Sequence, residues 1–271
     1  MQRVTAPFRV AAIQVVSEPL VEANLATAER LIADAAAQGA MLVALPEWFC
    51  FIGAAERDKL ALREKDGEGP IQSFLARVAA QFKVWLVGGT LPLEGAQPAK
   101  VRNACLVFDD AGRRVARYDK IHLFDFTGKD ERYRESGTIE PGDAPLAIDS
   151  PFGRLALSVC YDVRFPELYR QLAPMDLITV PSAFTATTGA AHWEVLMRAR
   201  AIENLAWVIA PAQGGRHSTG RVTHGHTMVV DPWGQVVAQV ADGPGVAMAE
   251  IDPSYEQSLR ERLPALAHRV L

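Results

Sequence analysis

The sequence predicts a single α/β domain, with one mixed sheet or two packed sheets and helices on the outside. Three observations lead to this prediction. Apolar, strand-like runs alternate with amphipathic, helix-like segments along the whole chain. Two pairs of strands flank short turns at residues 109–112 and 231–234, and so form hairpins. No linker, repeat or low-complexity tract divides the 271 residues, which are enough for one large core.

Strands and capped helices alternate in the first half of the chain. Asn24, a residue type that favours helix N-caps, precedes the periodic residues of the first predicted helix, and Gly39 closes that helix. A second helix opens at Gly67-Glu68-Gly69-Pro70, where proline suits the first helical turn. The strands are predicted at residues 8–16, 41–45, 84–88, 101–108 and 113–118.

The alternation resumes after a long polar stretch. Residues 120–151 are predicted to be largely irregular, and a loop of that length in a compact domain is usually functional. Helices are predicted at residues 166–172 and 192–204, and a last one starts at Asp252-Pro253. The strands are predicted at residues 154–159, 177–180, 206–210, 227–230, 235–240 and 247–251.

Charge and cysteine content narrow the class of protein. The net charge of −4 and the pI of about 5.9 give no reason to expect a nucleic acid or an anionic membrane as partner. No apolar run is long enough for a membrane span, and the start of the chain carries no secretory signal pattern. Cys50, Cys105 and Cys160 are odd in number and form no CxxC pair. This predicts a reducing cytoplasm rather than a disulfide framework or a structural zinc site.

Three reactive groups each follow a predicted strand. The run 155–159 ends at Cys160, the run 42–45 leads through Pro46 to Glu47, and the run 115–118 leads to Lys120. A carboxylate, an amine and a thiol in such positions are the parts of a covalent hydrolase, because α/β folds bind ligands at strand ends. The helix at Pro166 would add N–H groups and a positive dipole end near the thiol.

Structural explanations exist for each of these residues. A lone cysteine after a strand is commonly a buried small hydrophobe, and Cys50 and Cys105 are interpreted in this way. Glu47 could be half of a structural ion pair, and Lys120 could lie on the surface. The histidines offer a metal site or a Cys–His pair as alternatives, but no third ligand cluster accompanies His224-Gly225-His226. No metal is therefore predicted.

The three motifs, in this order, resemble the nitrilase superfamily of carbon–nitrogen hydrolases along essentially the whole chain. They are residues 45–47, 118–124 and 159–167. The resemblance implies an α-β-β-α sandwich of the nitrilase type, as one carbon–nitrogen hydrolase domain spanning residues 1–271. It also implies a base at Glu47, a stabiliser of the intermediate at Lys120, a nucleophile at Cys160 and a second glutamate at Glu135. No metal or organic cofactor is implied.

Within the superfamily the chain is most similar to the Nit-type amidases, on residues 182–184 and 187–194. Residues 215–217 and 225–234 resemble the deaminated glutathione amidases more than the ω-amidases. The implied reaction hydrolyses the terminal amide of an α-keto acid through a cysteine thioester, with ammonia departing. The alternatives are an ω-amidase acting on 2-oxoglutaramate or 2-oxosuccinamate, a nitrilase proper, and a catalytically silent scaffold.

Five further residues are predicted to bind the substrate. Arg164 could clamp a carboxylate as a fork, or could instead pair with Asp162 or Glu167. The N–H of Tyr161 would help Lys120 to hold the oxyanion. The resemblance implies that Phe184 and Thr188 line the pocket, and Arg216 would meet a more distant carboxylate. Similar enzymes dimerise through the helix at 166–172, so a homodimer or larger homo-oligomer is expected. The loop at residues 126–134 matches no pattern of the family.

Overall fold

The computed structural model describes residues 3–128 and 132–270. The helices in this part of the chain are α1 (Val21–Ala37), α2 (Pro70–Phe82), α3 (Pro166–Leu172), α4 (Ala186–Asn204) and α5 (Pro253–Arg262). Short 3₁₀ helices lie at Asp58–Leu62, Glu135–Gly137 and Cys160–Arg164.

Two large sheets contain most of the strands. The first contains β1 (Phe8–Gln14), β2 (Ala40–Ala44), β3 (Trp85–Val87), β4 (Leu91–Glu94), β5 (Val101–Phe108), β6 (Arg114–Asp119) and β17 (Gly245–Ile251). The second contains β9 (Leu146–Ser150), β10 (Gly153–Leu157), β11 (Leu177–Thr179), β12 (Trp207–Ala210), β15 (Thr227–Val230) and β16 (Val236–Val240). Two small hairpins are β7 (Asp125–Thr127) with β8 (Arg132–Arg134), and β13 (Gly214–Arg216) with β14 (Val222–His224).

Each large sheet has a parallel centre and antiparallel edges. In the first sheet β1, β2 and β3 are parallel, and the order is β17-β1-β2-β3-β5-β4 with β6 paired to β5. In the second sheet β10, β11 and β12 are parallel, and the order is β16-β15-β12-β11-β10-β9. The parallel centres bring the carboxyl ends of β2 and β10 to loops, which is where Glu47 and Cys160 lie.

The first sheet is buried on both faces, which explains its continuous apolar strands. Ala11 and Ile13 of β1 pack in one cluster with Leu31 and other residues of α1 and α2. Val10 of β1 packs in a second cluster with the second sheet, whose residues also contact α3 and α4. The alternation along β1 follows from the period of two in a strand. The result is the predicted α-β-β-α sandwich.

Several element boundaries differ from the sequence prediction. Asn24 lies inside α1 rather than capping it. Its buried side-chain amide accepts a hydrogen bond from the Glu18 N–H and donates to the carbonyls of Glu18 and Cys50. Helix α4 starts six residues before His192 because Thr185 caps it, accepting a hydrogen bond from the Thr188 N–H.

The stretch predicted to be irregular, residues 120–151, contains β7, β8 and β9. Strands this short carry too few residues for a periodic pattern to show in the sequence. No helix in the described part of the chain is long and apolar enough to cross a bilayer.

Candidate active site

A cavity of about 340 Å³ contains four of the predicted site residues together. Glu47 follows β2, Lys120 follows β6, and Cys160 follows β10 of the other sheet. Glu135 enters from the 3₁₀ helix after β8. The volume is within the range of small-molecule sites. The site therefore lies where loops from both sheets meet.

Lys120 is fully enclosed between two carboxylates. Its Nζ lies 2.8 Å from Glu47 Oε1, and 3.0 and 2.8 Å from the two oxygens of Glu135. Burial alone would lower the pKa of Lys120, but Glu135 and Glu47 outweigh it and raise that pKa well above its usual value. Lys120 is thus an ammonium at neutral pH.

Further hydrogen bonds fix the two carboxylates in place. Asn103 donates to Glu47 Oε1 at 2.8 Å, and the Phe124 N–H donates to Glu135 Oε2 at 2.6 Å. Burial and the nearby charge of Glu47 raise the pKa of Glu135, against the opposing effect of Lys120. The three side chains form one network in which each carboxylate touches the ammonium.

Cys160 has the left-handed backbone conformation, with a φ of 49°. This conformation costs a non-glycine residue about 1–2 kcal/mol. The Cys160 N–H donates to the Pro181 carbonyl at 2.9 Å, and the 3₁₀ helix begins at this residue. The turn brings the sulfur to the cavity wall. A sharp strained turn of this kind presents a side chain at the end of a strand.

The thiol of Cys160 is neutral in the free protein. Burial and the negative charge of Glu47 raise its pKa well above that of an ordinary cysteine. Lys120 and the backbone N–H of Ala183, which bonds the sulfur, act in the opposite direction. A thiolate would therefore form only as a neighbouring base removes the proton.

Asp162 holds this turn in place, a role that the sequence analysis missed. Its fully buried carboxylate accepts hydrogen bonds from the Tyr118 hydroxyl at 2.7 Å and from the Val159 N–H at 2.9 Å. It also accepts the His122 N–H at 2.9 Å and contacts His122 Nδ1 at 2.8 Å. Tyr118 belongs to the first sheet and Val159 to the segment leaving the second. Asp162 thus ties the segment of Lys120 to that of Cys160.

The other two cysteines lie in apolar clusters. Burial raises the pKa of Cys105 to about 12 and raises that of Cys50 as well. All three cysteines are free. Neither Cys50 nor Cys105 lines the cavity formed by the described residues.

A smaller pocket adjoins the cavity at Cys160 and contains four of the predicted substrate-binding residues, Tyr161, Arg164, Phe184 and Thr188. The Arg164 guanidinium lies 5.7 Å from the rings of both Tyr161 and Phe184. Arg164 Nη2 is 3.1 Å from Nδ1 of His192. Arg164 thus has a polar contact with His192, while the carboxylate of Asp162 accepts hydrogen bonds from the donors described above.

The β13–β14 hairpin differs most from the sequence prediction. Arg216 lies at the end of β13 and is exposed, outside the described lining of the cavity. Thr219 and Arg221, in and after the turn, line the cavity instead. His217 is buried between the Ser17 carbonyl and the Thr223 hydroxyl, each at 2.8 Å, and burial lowers its pKa. The only sign of Arg221 in the sequence was a second arginine five residues after Arg216.

No metal site is found in the described part of the chain. The rings of His224 and His226 stack with centroids 4.4 Å apart, and no group of three or more potential ligands occurs within residues 3–128 and 132–270. Of the loop at 126–134, residues 129–131 lie outside the described residues. Arg132 and Tyr133 of that loop line the cavity.

Comparisons with known proteins show the family of this chain. The family described as carbon-nitrogen hydrolase matches residues 9–261. A deaminated glutathione amidase from Synechocystis sp. is 45% identical over 270 residues, covering 97% of this chain and 98% of the relative. The human deaminated glutathione amidase is 41% identical, covering 96% of this chain and 81% of the relative.

Solved structures give the same result for the fold. Nit3 from Saccharomyces cerevisiae, described as a member of branch 10 of the nitrilase superfamily, superimposes with a TM-score of 0.86 at 32% identity. The match covers 96% of this chain and 95% of Nit3. Since the family match includes the segments of Glu47, Lys120 and Cys160, and the Synechocystis relative aligns over 98% of its own length, the chain belongs to the carbon–nitrogen hydrolase family.

Proposed function

We propose that this protein is an amidase that hydrolyses deaminated glutathione through a thioester on Cys160. The observation that carries the proposal is the convergence of Glu47, Lys120 and Cys160 on one buried cavity. Burying a lysine and two carboxylates beside a thiol costs desolvation free energy, so stability does not explain why these groups are there. Such clusters of buried charges are typical of functional sites. The names of the relatives support the choice of substrate.

Glu47 acts as the general base and acid in the proposed mechanism. It removes the proton from the neutral thiol of Cys160 as the sulfur attacks the amide carbonyl. Lys120 and the backbone N–H of Tyr161 hold the negative oxygen of the tetrahedral intermediate. Collapse breaks the C–N bond, and Glu47 returns the proton to the departing amine.

The second half of the reaction frees the acid. Glu47 takes a proton from water, whose oxygen attacks the thioester carbonyl of Cys160. The C–S bond then breaks, the sulfur regains its proton, and the carboxylic acid leaves. Glu135 does not touch the reacting atoms and is a positioning residue for Lys120, which it contacts with both oxygens.

The chemistry of the substrate alters the expected leaving group. In deaminated glutathione the amide joins a 2-oxoglutaryl group to Cys-Gly, so the departing amine is the dipeptide and not ammonia. The ω-amidase substrates release ammonia instead. The large cavity favours the longer substrate, because a molecule that loses only ammonia leaves most of a volume of about 340 Å³ unused.

A panel of substrates tests the proposal. The ratio kcat/KM is measured for deaminated glutathione, 2-oxoglutaramate and 2-oxosuccinamate. The product followed is 2-oxoglutarate for the first two substrates and 2-oxosuccinate for the third. We expect deaminated glutathione to be the best substrate, with release of Cys-Gly. A higher value for either small amide would make the protein an ω-amidase. No turnover of any amide would favour the silent scaffold.

The smaller pocket is proposed to hold the 2-oxo acid end of the substrate. Arg164 would bind its carboxylate as a fork, while Phe184 and Thr188 enclose the chain beside it. The support for this role is the position of Arg164 next to Cys160 in that pocket and its contacts with two ring faces, which orient the guanidinium. Its Nη2 also contacts His192.

Three broader proposals concern the whole molecule. We propose one carbon–nitrogen hydrolase domain over residues 1–271, supported by the match to residues 9–261. We propose a homodimer or larger homo-oligomer through α3 and the neighbouring α4, whose Val195 and Ile202 are 68% and 47% exposed. We propose a reducing, cytoplasmic location, supported by three free cysteines, with no nucleic acid or membrane as partner.

A further inference from the structure

Two polar atoms in the wall of the cavity lack partners. Arg221 Nε and Thr219 Oγ1 are buried, and neither has a hydrogen bond within the described structure. Both residues line the same cavity as Cys160. A buried group without a hydrogen bond is destabilising and needs an explanation, and at a cavity wall a bound ligand can supply the missing partner.

The surroundings of Arg221 keep its guanidinium in one place. Its Cζ lies 5.1 Å from the centre of the Tyr133 ring, and Nη2 is 3.5 Å from the Ala183 carbonyl. The Ala183 N–H in turn bonds the sulfur of Cys160. Arg221 is therefore linked to Cys160 through one intervening residue, Ala183. A guanidinium held against a ring face directs its N–H groups sideways, where a carboxylate can accept two of them.

Outside the network of Lys120, Glu47 and Glu135, the described lining of the cavity has an excess of positive charge. Lys59 Nζ is 2.5 Å from Glu56 Oε2, so these two charges neutralise each other. Burial alone would raise the pKa of Glu56, but Lys59, followed by Arg221 and Lys120, lowers it. Among the other described residues that line the cavity, Arg132 and Arg221 add two further cations. An anionic group is the ligand that this wall favours.

The two pockets that meet at Cys160 divide the substrate. The smaller one contains Arg164, and the larger one contains Arg221. An amide with its carbonyl at the sulfur can direct its acyl half into one pocket and its leaving group into the other. On the proposed function, the 2-oxo acid lies at Arg164, so the dipeptide enters the large cavity.

We infer that Arg221, assisted by Thr219, is a specificity-determining residue that binds a carboxylate on the leaving-group half of the substrate. This inference rests on the proposed amidase function and adds to it a reason for selecting a peptide acid as leaving group. Substrates that release ammonia carry nothing that could reach Arg221.

A matched pair of substrates isolates this contact. Deaminated glutathione is compared with its C-terminal carboxamide, which lacks only the distal negative charge, and with 2-oxoglutaramate. We expect Arg221→Gln to lower kcat/KM for the free acid by about 10- to 100-fold, the scale of a charge-assisted pair of hydrogen bonds. The carboxamide and 2-oxoglutaramate should change by less than about threefold.

Arg216→Gln is the matched control, because Arg216 is an exposed arginine on the same hairpin. A selective loss in Arg216→Gln instead would overturn the inference. So would an equal loss of all three substrates in Arg221→Gln, since that result would mean that Arg221 only supports the Ala183 backbone. An unchanged kcat/KM for the free acid would overturn it too.

A binding measurement separates this inference from the proposed function. Failure of the wild-type protein to cleave deaminated glutathione would refute the function. The inference is then tested with Cys160→Ala and calorimetric binding of Cys-Gly and of Cys-Gly amide, the two leaving-group fragments. The acid should bind more tightly, and adding Arg221→Gln should remove that preference. A preference that survives in the double variant, or is absent throughout, contradicts the inference.

Discussion

The hydrogen bond from Tyr118 to Asp162 gives a sharp test of how the turn at Cys160 is held in place. Tyr118→Phe removes one hydroxyl and leaves the buried ring in place. Burial and the charge of Asp162 raise the pKa of Tyr118, so the phenol is a protonated donor at all physiological pH values. Asp162 would keep three donors, from Val159 and His122.

The structure sets the size of the effect. The bond is 2.7 Å long, and the two residues are 1% and 0% exposed. A buried hydrogen bond to a charged group contributes about 1.5–3 kcal/mol, so the free energy of unfolding should fall by about that amount. Tyr169→Phe is the matched control, because that buried hydroxyl donates at 2.9 Å to the neutral Ser158 hydroxyl. A neutral bond contributes about 0.5–1.5 kcal/mol.

Urea denaturation of both variants at neutral pH measures the difference, and kcat is measured alongside. Tyr118→Phe should lose more stability than Tyr169→Phe. It should also lower kcat several-fold, because the turn that begins at Cys160 is less firmly held. Equal losses in the two variants, or an unchanged kcat in Tyr118→Phe, would refute the account of Asp162 as a charged anchor for the proposed nucleophile.

Three further predictions follow from other parts of the molecule. Arg164→Lys should lower kcat/KM for a 2-oxo acid amide, with a loss of transition-state stabilisation of about 1.5–3 kcal/mol. The kcat/KM for an uncharged amide such as propionamide should stay nearly unchanged, and equal losses for both substrates would make Arg164 structural. Burial, and then Asp176, raise the pKa of Glu256 to about 9 from 4.5. The folded state therefore keeps a proton that the unfolded state releases, and stability should fall as pH rises between these values. Glu256→Gln should flatten that dependence, and an identical slope in the variant would contradict the assignment. Light scattering should show an oligomer that Val195→Glu with Ile202→Glu dissociates, and a monomeric wild-type protein at micromolar concentration would exclude the proposed interface.

The sequence predicted those parts of the fold and site that strong local patterns determine. Glu47, Lys120 and Cys160 each follow an apolar run, and such runs become strands of the two sheets. The sequence therefore allowed the three residues to be placed at the ends of strands. The network between Lys120 and the two glutamates depends on the packing of separate segments, which sequence spacing alone does not give.

The missed residues have a common physical reason. Asp162 is bound by donors from β6, from the loop after it, and from the residue before Cys160, so its role arises only in the folded chain. Arg221 belongs to a hairpin whose strands have three residues each, which is too short for a period of two to show which side chains face the cavity. Arg216 was instead predicted from the resemblance of residues 215–217 to the deaminated glutathione amidases.

The central claim is that Cys160 forms a thioester with the acyl half of the substrate. Mass spectrometry of the protein, quenched in acid during turnover of deaminated glutathione, tests it most directly. We predict a mass increase of one 2-oxoglutaryl group on the peptide that contains Cys160, present in Cys105→Ala and absent in Cys160→Ala. Turnover that continues in Cys160→Ala, or an adduct found on another residue, would contradict the claim.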